Sequence, residues 1–169
     1  YDDFDGVYFT IQSLLVHHIP SLDNCEIVVV DNAPHLPSGQ TVRHYCQTVH
    51  RKELPVRYVP LAQPVGTSPA RNAIFEHAAG DYVLVMDCHV LLQIGALDAL
   101  KTHLREHDPC DDLLQGVLCS DNGREFWTHF QDVWRAEMWG IWGSDQRGHS
   151  PDNPPFEIFA QGLGLFCAR

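Results

Sequence analysis

The sequence predicts an α/β domain whose sheet is mainly parallel and flanked by helices. Three observations carry this. Short apolar runs alternate with amphipathic stretches along the whole chain. Two of those runs, CEIVVV (Cys25–Val30) and DYVLVM (Asp81–Met86), are apolar almost without interruption, as strands buried on both faces are. Both are followed directly by an aspartate, Asp31 and Asp87, at the edge where open α/β sheets bind ligands.

The elements follow in order. Val7–His18 has helical apolar spacing, with Asp5 as a candidate cap. Cys25–Val30 is a strand, and Asn32–Gly39, carrying Asn, Ser, Gly and two prolines, is loop. Thr41–Arg51 reads as helix, Val56–Val59 as a second strand and Pro60–Gly66 as loop. Ser68 is placed to cap a helix from Pro69 to Ala78, ended by Gly80. Asp81–Met86 is the next strand, Gly95–Glu106 a helix and Leu113–Cys119 a strand. The aromatic stretch Phe126–Ile141 reads as helix, Gly143–Pro155 as loop, and Phe156–Cys167 as a closing strand-like run.

The 169 residues suit one domain spanning 1–169, and 44% hydrophobic content excludes a disordered chain. A formal charge of −11 opposes nucleic-acid binding, which depends on neutralising phosphates with Lys and Arg. A phosphate-bearing ligand then needs local help from a cation or from backbone N–H groups. Six cysteines without a C-x-x-C pair read as buried free thiols of a reducing, cytoplasmic setting. No apolar run approaches the roughly 20 residues of a membrane span.

The segment VLVMDCH (Val83–His89) is the most informative for chemistry. Asp87 and His89 lie two apart just past a strand, and in extended backbone both side chains point the same way. A carboxylate with an imidazole suits a divalent cation such as manganese or zinc, and the carboxylate also accepts magnesium. Spacing alone equally allows a turn-capping Asp87 and a surface His89. Asp31, before Asn-Ala-Pro, forms either a turn or a contact to a sugar or base. Arg71, in GTSPARN (Gly66–Asn72), lies on a helix surface or reaches a cleft at a helix start able to hold an anion. The scattered tryptophans of Phe126–Trp142 suit a core or domain contact better than a sugar platform. Glycines in QGLG (Gln161–Gly164) mark a close backbone approach.

Taken in order, EIVVVDN (Glu26–Asn32), the ARN-bearing helix (Ser68–Asn72) and DYVLVMDCH (Asp81–His89) resemble the GT-A glycosyltransferases of family 2, over about Asp5 to Leu100. His89 stands where the second acidic residue of the D-x-D signature is usual. That D-x-H is similar to the signature of polypeptide N-acetylgalactosaminyltransferases. The resemblance implies nucleotide contacts from Asp31, Arg71 and Asp87. It implies a Mn²⁺ or Mg²⁺ ion held by Asp87 and His89 against the diphosphate of a donor, most simply a UDP-sugar. The acceptor is a saccharide, peptide or other hydroxyl. Set beside the family, the chain is expected to be incomplete at both ends: the first strand is expected ahead of Tyr1 and the general base beyond Arg169, so that transfer by this segment is slow. Asp121 and Glu157 are the weak in-chain candidates for that base. An inactive nucleotide-sugar-binding module is the alternative function. A dinucleotide-dependent dehydrogenase is disfavoured, since no G-x-G-x-x-G follows a strand.

Overall fold

The computed structural model describes residues 2–169. It has four α-helices and a set of short strands, so the α/β expectation holds, but the sheet is neither continuous nor mainly parallel. Helix α1 (Phe4–His17) leads through a 3₁₀ turn (Ile19–Leu22) to strand β1 (Ile27–Asp31). Helix α2 (Pro37–Val49) crosses to β2 (Val56–Pro60), which pairs with β1 in parallel, Ile27 opposite Val56 and Asp31 opposite Pro60. Helix α3 (Thr67–His77) then leads to β3 (Val83–Met86), and α4 (Ala96–Glu106) follows.

From there the chain turns antiparallel. Strands β4 (Leu114–Gln115) and β9 (Leu165–Ala168) join β3 in a three-stranded sheet with β9 at its centre, both pairings antiparallel. Between them lie two hairpin-like pairs, β5 (Leu118–Cys119) with β6 (Phe126–Trp127), and β7 (His129–Arg135) with β8 (Met138–Gly143). The helix expected over Phe126–Ile141 is therefore strand and turn. Its aromatics are good strand formers, and the reversal at Ala136 and Glu137, both at positive φ, matches the two-residue turns that suit the twist of a hairpin. The closing strand is shorter than expected and starts at Leu165, after the glycines of QGLG.

Two helix starts also differ from expectation. Asp3, not Asp5, caps α1: its carboxylate accepts the Gly6 N–H at 2.8 Å. Helix α3 begins at Thr67 behind Gly66, and no side chain, Ser68 included, caps it.

One core packs Ile11 of α1 on Val42 and Cys46 of α2 and Val56 of β2, with Ile27 and Val29 of β1 against it. A second joins Leu14, Leu22, Leu54 and Leu97, which anchors α4 beside the 3₁₀ turn. Lys101 fixes the same junction by donating to the carbonyls of Ser21 (2.9 Å) and Asp23 (2.8 Å). The two expected apolar strands do not pair with each other. β1 is only half-buried along its length, and a cavity of about 1060 Å³ runs between it and β3. All six cysteines are free. No helix of the described residues is long and apolar enough to cross a membrane.

Candidate functional site

The carboxyl end of β1 is built around Asp31. One carboxylate oxygen accepts the Ala33 N–H at 2.8 Å, which makes the turn that the Asp-Asn-Ala-Pro sequence suggested. The other accepts the Tyr58 hydroxyl of β2 at 2.7 Å. Burial, and then donation to Asp31, push that phenol well above its ordinary range. Asn32 clamps the next loop on both sides. Its amide donates to the Val65 carbonyl at 2.6 Å and its oxygen accepts the Val65 N–H at 2.8 Å. That bracing leads the chain into α3, the helix that carries Arg71.

The end of β3 is built around Asp87. Its N–H donates to the Gly164 carbonyl at 2.9 Å and its carbonyl accepts the Val90 N–H at 3.1 Å, so the residue sits at a fixed turn. Its side chain accepts from Arg71 at 2.6 Å. The Arg71 side chain is 16% exposed and that of Asp87 36%, so this ion pair is partly shielded from water. A Cβ on Gly164 would stand 3.4 Å from the other Asp87 oxygen, which makes the close approach read from QGLG a feature of the site itself.

His89 is exposed, and its Nδ1 lies 3.6 Å from Asp3. The Cys88 thiol donates to the same carboxylate at 3.4 Å. Asp3, Cys88 and His89 thus offer three ligand atoms within 4.8 Å of one another. The Gly6 backbone N–H, then the Cys88 thiol and His89 hold the Asp3 carboxyl below its ordinary value. Burial, reinforced by the bond to Asp3, pushes the Cys88 thiol up to about 11. Buried Thr10 reaches from α1 to the same loop, donating to the carbonyls of Cys88 (2.7 Å) and Val90 (3.1 Å).

Asp31, Arg71 and Asp87 all line the large cavity, and His89 sits beside it on the Asp87 loop. Asp87 and Arg71, which the sequence did not pair, are in contact. Asp87 and His89 each face a different partner, Arg71 and Asp3. Asp121, in the turn between β5 and β6, and Glu157, in the loop before β9, are both exposed and do not line that cavity. Asp3, Thr10 and Cys88 were not legible as a group, because α1 brings the first two to the loop after β3 only through tertiary packing. The aromatic stretch splits: Trp127 and Trp142 are half-buried, with Trp142 against Phe130 at 4.4 Å, whereas Trp134 and Trp139 are exposed on the hairpin.

At this end of the cavity Arg71 stands among Asp2, Asp3, Asp31 and Asp87. A diphosphate in such a site needs the carboxylates offset, by a cation or by backbone N–H groups. A carboxylate and an imidazole on one short turn are a donor set that manganese accepts. The family model described as glycosyl transferase family 2 matches residues 1–166. No curated protein and no solved structure matches the chain.

Proposed function

The chain belongs to glycosyl transferase family 2 and is a glycosyltransferase that draws on a nucleotide-sugar donor; from that premise we propose that it has a GT-A fold and binds a UDP-sugar with Mn²⁺ or Mg²⁺, using Asp31, Arg71, Asp87 and His89. The observation that carries this reading is the Arg71–Asp87 pair. It puts a guanidinium, suited to an anion, and a carboxylate, suited to a cation, in contact, in a cavity that Asp31 also lines.

Each residue has a definite task in this reading. Asp31 accepts hydrogen bonds from the nucleoside, and Tyr58 and the Ala33 N–H hold its carboxylate in place. Asp87 and His89 would hold the cation, and the remaining ligands would have to come from the donor and from water. The bound ion supplies Lewis-acid stabilisation of the charge that develops on the departing nucleoside diphosphate. Cys88 is a poor ligand for a hard cation, and its raised pKa keeps the thiol protonated at neutral pH. Arg71 neutralises Asp87 and would be the guanidinium available to the diphosphate once Asp87 held a cation. The acceptor is a saccharide, peptide or other hydroxyl.

Calorimetric titration with UDP, GDP and ADP, each with and without Mn²⁺, tests the reading. The expected outcome is UDP binding that needs Mn²⁺ and is lost in Asp87→Asn. Equal binding with and without the metal would overturn the metal assignment, and a preference for another base would overturn the UDP assignment.

A further inference from the structure

We propose that Asp3, Cys88 and His89 form a site for a thiophilic divalent cation, zinc above all, separate from the place the donor's ion would take. The three ligand atoms lie within 4.8 Å of one another. One oxygen of Asp3, Oδ2, is the hub. The Cys88 Sγ lies 3.4 Å from it and the His89 Nδ1 3.6 Å. Zinc bonds of about 2.3 Å to sulfur and about 2.0–2.1 Å to nitrogen or oxygen, set tetrahedrally, place ligand atoms roughly 3.3–3.6 Å apart. Both measured edges therefore already have tetrahedral length. His89, whose side chain is 69% exposed, can turn to adjust the third.

The chemistry of the donors selects the metal. A thiolate, an imidazole and a carboxylate together suit zinc, whereas manganese and magnesium favour oxygen. Asp87, the oxygen donor of the same turn, is engaged by Arg71 and stands outside the group. The group is also braced from behind. The second Asp3 oxygen accepts the Gly6 N–H at 2.8 Å, and Thr10 donates to the carbonyls of Cys88 and Val90, on either side of His89. Outer contacts of this kind orient metal ligands. The exposure of His89 leaves a path of entry and a fourth position for water. When the zinc–sulfur bond forms, the Cys88 proton leaves to solvent and the ion is held by a thiolate. Sharing of His89 has a consequence that rests on the donor-site reading above. A ring drawn to Asp3 and Cys88 is turned away from an ion held by Asp87, so zinc opposes Mn²⁺-dependent nucleotide binding.

Cobalt(II) titration of the metal-free chain in a phosphine reductant tests the site, because a thiolate–cobalt bond shows a near-ultraviolet charge-transfer band. The expected result is a band that saturates at a single equivalent, is bleached by Zn²⁺ and survives in Asp87→Asn and Cys119→Ser. It should vanish in Cys88→Ser. Zinc affinity should fall at least about tenfold there and in Asp3→Asn, which keeps the helix cap. A band that persists in Cys88→Ser, disappears in Asp87→Asn or never forms overturns the proposal. The consequence is read by UDP titration in Mn²⁺. Added zinc should weaken UDP binding at least about tenfold in the wild type and leave Cys88→Ser unaffected. Equal weakening in both overturns the shared-ligand argument. If UDP fails to bind in Mn²⁺ at all while the cobalt band behaves as stated, the donor-site reading fails and the zinc site stands.

Discussion

Arg71 donates to the Asp87 carboxylate at 2.6 Å, tying the first turns of α3 to the loop after β3. In a site rich in carboxylates this single bond sets which charges are available to a ligand. An anion must compete for Arg71, and a cation must compete for Asp87.

The first prediction concerns that pair. Arg71→Ala should weaken Mn²⁺-dependent nucleoside diphosphate binding by about 1.5–3 kcal/mol, roughly 10- to 150-fold, the usual worth of a hydrogen bond to a charged group. The same change should lower stability by about 1 kcal/mol at most, since Asp87 retains access to water. Titration calorimetry and urea unfolding separate the two effects. Unchanged affinity would show that Arg71 only neutralises Asp87.

Asp87→Ala and His89→Ala should each abolish the metal dependence of nucleotide binding with little change in Tm. His89 is exposed, and neither change empties a core position. Asp3→Ala is the informative companion. If it abolishes metal binding while Asp87→Ala does not, the ion sits on the Asp3–Cys88–His89 group instead.

Asp3 should also reveal itself through pH. Its carboxyl titrates below 3.8 in the folded chain, chiefly because of the Gly6 N–H. A depressed acid stabilises the fold fully above its unfolded pKa, near 3.9, and that contribution fades as pH falls through the lower folded value. Asn caps a helix about as well but does not titrate. Between pH 5 and pH 2 the wild-type Tm should therefore fall further than that of Asp3→Asn. Asp3→Ala at pH 7 should cost about 1 kcal/mol.

Thiol labelling offers a check on the fold. Cys119 is exposed and should react first with iodoacetamide at pH 8. Cys46, Cys88 and Cys167, each pushed to about 11 mainly by burial, should lag by at least tenfold until the chain unfolds.

Gly162 tests the region between the hairpin and β9. A Cβ there would run into the Trp142 ring, so Gly162→Ala should destabilise by about 1–3 kcal/mol. Trp142→Leu in the same chain should recover part of that loss in a urea-unfolding comparison.

The first hundred residues were readable because local signals and tertiary structure agree there. CEIVVV and DYVLVM became β1 and β3, and the amphipathic runs between strands became α1 to α4 within a few residues. Asp31, Arg71 and Asp87 were singled out as a set through the resemblance to family 2, since each residue alone read equally as a turn or surface group; all three line the large cavity. The group of Asp3 and Cys88 beside His89 escaped because nothing local joins residues that α1 brings together from opposite halves of the chain. Phe126–Ile141 misled because aromatic spacing does not distinguish a helix from a hairpin. The turn at Ala136–Glu137 carries neither Gly nor Asn to announce it, although both residues take positive φ.

The position of β9 has a consequence for how the molecule assembles. Leu165–Ala168 lies between β3 and β4, so the antiparallel sheet has no centre until the chain has folded back across half its length. The β1–α2–β2 unit, by contrast, closes over a short span. Closing the longer loop adds little free energy at equilibrium but slows the search. Folding should thus proceed in two stages, with the amino-terminal layer first and the β3–β9–β4 sheet last. Substitutions at Phe166 or Cys167 should then speed unfolding while leaving the early stage nearly untouched.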